Sequence, residues 1–258
     1  MGKFKERKSI PQNQNMGEAA SDIFAGKSEE SEAIQKIYNK SPLIYAEIIR
    51  RYLPAISKLY KLVDLGSHKG ELVKTLLFRL PEYKFQVIAL DTDEDSLSEN
   101  KNVDYKIVAD AEKIPLADKS VDLVIARYIL QWNSLEKQKR ILSEIKRIVS
   151  NIAIVEHVGA DNQYPDVWRE RINDLFDGEE VPKLKRKNYY FSSRDEIERW
   201  MSEAGIKFER ILDEVVQNGV GIFTKRYNLS EKEVEKVRKV LAEKDYICHT
   251  VWVINGKY

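Results

Sequence analysis

The sequence predicts an α/β protein built on a parallel sheet with helices on both faces. Two patterns carry that prediction. Short apolar runs recur through the middle of the chain without polar alternation, residues 121–127 and 152–155 being the densest, as strands buried on both faces require. Between the runs lie segments with apolar residues at helical spacing, and strands separated by helices assemble most readily into a parallel sheet. The length of 258 residues suits one large domain or two small ones. We read a single domain over residues 29–258, preceded by a flexible polar arm, residues 1–28, which holds Pro11, Gly17 and Gly26 and no apolar period.

The elements follow in order. Ile34, Ile37 and Tyr38 share one helical face, and a second helix is expected from Pro42, with Ile44, Ile48, Ile49 and Leu53 repeating until Pro54; the two occupy the 29–57 region. Residues 61–65 read as a strand, 71–80 as a helix, 85–90 as a strand, 94–100 as a weak helix and 105–109 as an extended segment. Residues 121–127 form the clearest strand. The clearest helix is 135–149, with Asn133 or Ser134 as N-cap, and residues 152–155 are the next strand. The alternation then loosens. An aromatic helix is expected at 164–176 and a loop at 177–190; Ser193 and Glu196 form a capping box for a helix that stops at Gly205. A strand at 208–216, a helix opened by Ser230 and Glu233, and a last strand at 250–254 complete the chain.

Composition excludes several classes. With 43 Lys and Arg against 42 Asp and Glu, the net charge of +1 gives no global attraction to nucleic acid or anionic membranes. A single cysteine, Cys248, excludes an internal disulfide framework and a Cys-rich zinc module, so no metal centre is expected and an intracellular, cytoplasmic protein is. The longest apolar runs fall far below the ~18 residues of a membrane span. The charged start leads into no apolar segment of the secretory kind, and Arg7 stands where a myristoylation motif wants Ser or Thr.

The chemistry-bearing residues sit at strand ends. Val63-Asp64-Leu65-Gly66-Ser67-His68-Lys69-Gly70 runs from a strand through a glycine-bearing turn into a helix, which aims helix N-terminal amides at a ligand. The spacing is not the G-x-G-x-x-G of dinucleotide enzymes, which argues against a dehydrogenase. Asp91, 21 residues after Gly70, closes the next strand, where an acid can accept both hydroxyls of a ribose. Asp110 closes the strand after that. Each acid alone reads as an N-cap or loop residue; three at consecutive strand ends would converge on one crevice.

From Leu62 to about Val155 these residues resemble the class I S-adenosylmethionine-dependent methyltransferases, especially their small-molecule, type 11-like members. Residues 63–70 match the first motif, 87–91 the second, 109–116 the third and 120–130 the fourth strand with the wall beneath the methyl group; residues 196–206 resemble the family's penultimate helix. The resemblance implies a Rossmann-like, doubly wound, mostly parallel seven-stranded sheet and a substrate-cover insertion at 160–192, where Tyr164, Trp168, Phe176, Tyr189 and Tyr190 would shape an acceptor pocket or fill a small helical core; the N-terminal helices are either a lid with Tyr38 and Tyr45 as aromatic cover or ordinary packing against the sheet. It implies S-adenosyl-L-methionine as cofactor, held by Asp64, Gly66, Ser67, His68, Gly70, Asp91, Thr92, Asp110, Ala111 and Arg127. Two departures stand out: His68 occupies a position where the family has glycine, and the usual Pro-Gly-Gly turn before the fifth strand is absent.

On this reading the acceptor is a small molecule methylated at oxygen or nitrogen. Tyr128, Gln131 and Trp132 are candidates to bind it, and Glu156 and His157 also follow a strand into the expected methyl site. His157 is the candidate general base, because its ordinary pKa lies near neutrality; capping of a strand end is the alternative, and His249 and Cys248 read as structural. Leu130-Gln131-Trp132 resembles the corresponding segment of enzymes that methylate carboxylates. Two other readings stay open. A basic loop at 183–187 beside Tyr189 and Tyr190, with Lys3, Lys5, Arg7 and Lys8, would serve an RNA or protein acceptor, and His68 in the glycine position would suit a binding protein that has lost catalysis.

Overall fold

In the computed structural model the described residues are 29–55, 58–160, 166, 169–170, 190–217, 229–241 and 246–257. Their elements are helix α1 (Glu29–Tyr52), strand β1 (Leu59–Leu65), α2 (Glu71–Arg79), β2 (Lys84–Asp91), α3 (Glu94–Glu99), β3 (Tyr105–Val108) and β4 (Val121–Arg127). A 3-10 turn (Leu130–Trp132), α4 (Leu135–Ile148), β5 (Val149–Gly159), α5 (Arg194–Glu203), β6 (Phe208–Gln217), α6 (Glu231–Leu241) and β7 (Tyr246–Asn255) follow. The strands form one seven-stranded sheet in the order β3-β2-β1-β4-β5-β7-β6. Pairings β1–β2, β1–β4, β2–β3 and β4–β5 are parallel, whereas β7 runs antiparallel to both β5 and β6.

The two faces of the sheet explain the unbroken apolar runs. Alternate residues of one strand enter different cores, as strand geometry demands. Val63, Leu65, Val124, Ala126, Ala153 and Val155 join Ile141, Leu142 and Ile145 of α4 and Ile197 and Met201 of α5 on one face. Leu62, Leu123, Ile125, Ile152 and Ile154 join Tyr45, Ile49 and Leu53 of α1 and Val73 and Leu76 of α2 on the other. Each such aliphatic side chain, fully buried, contributes ~1.5–3 kcal/mol, so the helices on both faces share in holding the sheet.

The local signals hold where they have a physical mechanism. The Ser134 side chain accepts from Lys137 N–H to cap α4, and Ser193 with Glu196 forms the complete capping box of α5. Three boundaries move. β5 begins at Val149, directly after α4, and extends to Gly159; β7 begins at Tyr246. The two expected N-terminal helices are one helix with Pro42 inside it. Proline removes one helical hydrogen bond, but Ser41 and Tyr45 on either side of it are both tied to Glu156, and burial of Tyr45, Ile48 and Ile49 carries the helix through. From Tyr45 onward α1 is therefore packed core. The expected insertion at 160–192 lies mostly outside the described residues, as do the 1–28 arm and the 183–187 loop.

Candidate active site

β1 is the point where the strand order reverses, with β2 on one side and β4 on the other, and open α/β sheets place ligands at the carboxyl edge of such a switch. Every residue that the sequence marks as cofactor-binding follows or ends one of these parallel strands: Asp64 to Gly70 at β1, Asp91 and Thr92 at β2, Asp110 and Ala111 after β3, and Arg127 at β4.

The turn after β1 is held from beneath. Asn100 Nδ2 donates to Ser67 Oγ (3.0 Å), and Ser67 Oγ donates to Asp64 Oδ2 (2.7 Å). Asp64 is buried at 3% exposure; burial raises its pKa to about 6, with the Ser67 hydrogen bond and the Arg127 charge opposing and Asp91 adding to the rise. His68 adopts φ 47°, a backbone that glycine reaches without strain. What holds it there is Asp91, whose Oδ2 accepts from His68 N–H at 2.8 Å. The histidine thus takes the left-handed shape of the glycine that the family resemblance calls for, with a carboxylate clamp on its amide. Gly70 also has positive φ, but a side chain there would meet Asn100; the close approach for which this glycine is needed is to the protein itself.

Asp91 has two oxygens, each accepting one backbone N–H, from His68 and from Asp93 (3.0 Å). A carboxylate oxygen has two lone-pair directions, so one on each remains for hydroxyl donors. Asp110 is arranged alike: Oδ1 accepts from Glu112 N–H (3.1 Å) and Oδ2 from Lys137 Nζ of α4 (2.5 Å). Burial pushes its pKa up, but the Lys137 and Glu112 hydrogen bonds outweigh this and hold it below the usual carboxylate value. Lys137 is a partner the sequence analysis missed; only its spacing on α4 could have suggested it.

Beyond β4, Tyr128 takes φ 55°, an outlier for so bulky a residue. Ile129 then packs against Gly66, its Cδ1 lying 3.5 Å from where a Gly66 side chain would begin. Gln131 is buried at 7% exposure, and its side-chain oxygen has no hydrogen-bond partner among the described residues.

Glu156 and His157, neighbours on β5, part company because strand side chains alternate. Glu156 faces α1, accepting from Ser41 Oγ (2.6 Å), Tyr45 OH, Tyr128 OH (2.9 Å) and His249 Nε2 (2.6 Å). His157 lies on the other face, its ring stacked on Trp252 and its Nε2 on the Ser192 carbonyl (2.9 Å). Burial lowers its pKa to about 4, the Ser192 contact opposing. The candidate general base His157 thus sits on the face of the sheet away from Glu156, with its Nε2 engaged by the Ser192 carbonyl. The histidine on the Tyr128 side is His249 of β7, which the sequence analysis read as structural. The missed signal is Glu156 in the fully buried stretch of β5, where an ionised carboxylate needs charged or hydrogen-bonding partners.

Comparison with known proteins matches this edge of the sheet. Residues 63–154 match the family described as methyltransferase domain. An uncharacterized methyltransferase of Schizosaccharomyces pombe is 27% identical over 127 residues, covering 48% of each chain. The malonyl-[acyl-carrier protein] O-methyltransferase of Methylococcus capsulatus is 34% identical over 95 residues, covering 34% of this chain and 33% of that one. The chain thus spans about half or less of the length of the curated relatives it matches. Among solved structures, the YcgJ protein of Bacillus subtilis superposes with a TM-score of 0.61 at 14% identity, covering 83% of this chain and 98% of that one. Geranyl diphosphate C-methyltransferase of Streptomyces coelicolor A3(2) gives 0.56 at 14% identity, covering 91% and 87%. Residues 63–154 thus match a methyltransferase domain, whose cofactor is S-adenosylmethionine, and the fold around them is shared with these solved structures.

The residues present fit that cofactor. Asp91 and Asp110 each keep acceptor capacity beyond their internal hydrogen bonds, and Gln131 carries a buried acceptor with no partner among the described residues. Among the described residues no helix is long and apolar enough to cross a membrane, and no His, Cys, Asp and Glu group is placed to hold a metal ion.

Proposed function

We propose that the protein transfers the methyl group of S-adenosyl-L-methionine to an oxygen or nitrogen atom of a small-molecule acceptor. The observation that carries this reading is the row of acceptor groups at the switch point: the Gly66 turn, Asp91 and Asp110 on consecutive parallel strand ends. When bound, the cofactor supplies an electrophilic methyl group on a sulfonium.

The chain's own work is to hold, orient and exclude. Asp91 would accept the ribose hydroxyls on its two remaining lone pairs, and Asp110 the adenine amino group, with Lys137 keeping that carboxylate ionised and fixed. The Gly66–Gly70 turn, with Ser67 and Asp64 beneath it, would face the rest of the cofactor, and Thr92, Ala111 and Arg127 flank it. Tyr128, Gln131 and Trp132 would line the acceptor side, where the Gln131 oxygen suits an acceptor N–H or O–H. Displacement at a methyl carbon needs alignment more than a protein nucleophile. A general base is required only for an acceptor protonated at working pH. The O-methyltransferase relative, named for an acyl-carrier-protein substrate, puts carboxylic acids first among acceptors to screen.

Calorimetry with S-adenosylmethionine and S-adenosylhomocysteine tests the reading, with Asp91→Ala beside the wild type and NAD as control. Saturable binding lost in the variant is expected. Binding of NAD alone, or S-adenosylhomocysteine affinity indifferent to Asp91→Ala, would refute it.

A further inference from the structure

Glu156 is fully buried at the carboxyl edge of the sheet, yet four donors from three other elements converge on its carboxylate: Ser41 and Tyr45 of α1, Tyr128 after β4 and His249 of β7. His249, equally buried, places Nε2 on Glu156 (2.6 Å) and Nδ1 on Glu214 Oε1 of β6 (3.0 Å). Glu214 Oε2 in turn accepts from Lys40 Nζ of α1 (2.8 Å). Ionised carboxylates only accept, so both imidazole nitrogens must carry protons, and His249 is an imidazolium between two anions. The result is a row of alternating charge, Lys40, Glu214, His249, Glu156, running from the surface into the core.

Burying such a row is not explained by stability, because apolar residues of the same volume usually serve as well or better. Its geometric consequence lies at Tyr128. That residue is held in its left-handed backbone by Glu156 twice, through its N–H on the Glu156 carbonyl (2.9 Å) and its hydroxyl on the Glu156 carboxylate (2.9 Å). The next residue, Ile129, packs on Gly66 in the turn after β1. A contiguous path therefore leads from the charged row, through a strained residue, to the wall of the crevice.

We propose that Glu156, held as an anion by the His249 imidazolium, is a positioning residue that fixes the Tyr128 turn as the wall of the cofactor crevice. Among the described residues, the polar groups gathered at the imidazolium and its partners are Glu156 from β5, Glu214 from β6, Tyr128 after β4, and Lys40, Ser41 and Tyr45 from α1, while Arg127 acts on Glu156 and His157, on the far face, feels His249 through charge alone. Loss of the His249 proton would leave two carboxylates competing for one N–H, so the hold on Tyr128 would slacken as pH rises. The ligand readout rests on the S-adenosyl reading of the crevice; the structural readout does not.

The chain has three histidines, His68, His157 and His249, so their imidazole signals in NMR can be assigned by single substitution. We would follow the His249 signal, the exchange protection of the Tyr128, Trp132 and Asn133 amides, and S-adenosylhomocysteine affinity across one pH series. Expected is a loss of ~tenfold in affinity and of amide protection, both sharing the midpoint of the His249 titration. Glu156→Gln should weaken binding by about tenfold and remove the pH step, and Tyr128→Phe should do so in part. If Glu156→Gln does not fold, the wild-type series decides alone. Affinity and amide protection that stay flat while His249 titrates overturn the proposal, as does a His249 that is neutral at pH 7. If S-adenosylhomocysteine binds at no pH, the cofactor reading fails, and the amide protection still decides the positioning role.

Discussion

Replacing Gly70 by alanine should be among the most damaging single-methyl changes in this protein, and its cost divides into parts that can be measured separately. Gly70 is the N-cap of α2 at φ 77°, ψ 20°. A left-handed backbone costs a residue with a Cβ ~1–2 kcal/mol. The new methyl would also overlap the side-chain amide of Asn100, which has no exposed surface and cannot swing out. Overpacking of that kind costs ~1–3 kcal/mol. Displacing Asn100 breaks its hydrogen bonds to Ser67 Oγ and from Asn102 N–H (3.2 Å), about 1 kcal/mol each. Alanine returns ~0.4–1 kcal/mol by stiffening the unfolded chain. The net is roughly 3–7 kcal/mol, a large share of the ~5–15 kcal/mol that holds a typical domain folded. Gly205 supplies the control: it too has positive φ, 65°, but an added Cβ meets nothing within 4 Å. Gly205→Ala should therefore cost the backbone part alone, ~1 kcal/mol. Urea unfolding reads both as shifts in midpoint at constant slope. Adding Asn100→Ala to Gly70→Ala should return ~1–3 kcal/mol relative to additivity, because the clash then disappears. Equal costs for the two glycines, or strictly additive effects of Gly70→Ala and Asn100→Ala, would refute the account of Gly70 as a site of close approach.

Two buried groups predict opposite pH dependences in one window. Asp64 has a folded pKa of about 6, above its ordinary 3.8, so it opposes folding increasingly as pH rises from about 4 to about 6. Asp64→Asn should stabilise the protein by ~1–3 kcal/mol above that window and by little below it; a gain that persists at pH 4 would show that the cause is not ionisation. His157 has a folded pKa of about 4, below its ordinary 6.5, so its contribution is complete above pH 6.5 and is lost as pH falls toward 4. His157→Gln should therefore flatten the acid side of the stability profile by ~1–3 kcal/mol; denaturant midpoints at pH 7 and 4.5 that shift in parallel in variant and wild type would exclude it.

The fold was legible because burial on two faces leaves an unambiguous pattern: residues 121–127 could be nothing but an inner strand, and β4 occupies those residues and no others. Cap residues were legible for a local reason, since Ser134 and Ser193 each bond an amide three residues on. Pro42 misled because the forces carrying α1 through it, Ser41 and Tyr45 on Glu156, come from a strand more than a hundred residues later. The acids of the crevice could be read from the sequence as strand-end residues. Their partners could not, because Lys137 on Asp110 and Asn100 on Ser67 are set by helix packing rather than by spacing along the chain.

His157 and His249 show what separates a readable site residue from an unreadable one. Period-two alternation puts Glu156 and His157 on opposite faces whatever the fold, so the sequence already implied that only one of them could look toward Tyr128. It did not say which face. That depended on β7 entering between β5 and β6 in antiparallel register, which sets His249 against Val158 and against Glu214. A buried carboxylate at position 156 needs charged or hydrogen-bonding partners on the same face, and the register brings His249 there as one of them. The same requirement fixes α1, because Ser41, Tyr45 and Lys40 complete the shells of Glu156 and Glu214. The helix that the sequence offered as a lid is thus joined to the crevice through one charged row, and the row ends at the residue whose strained backbone turns the chain toward Gly66.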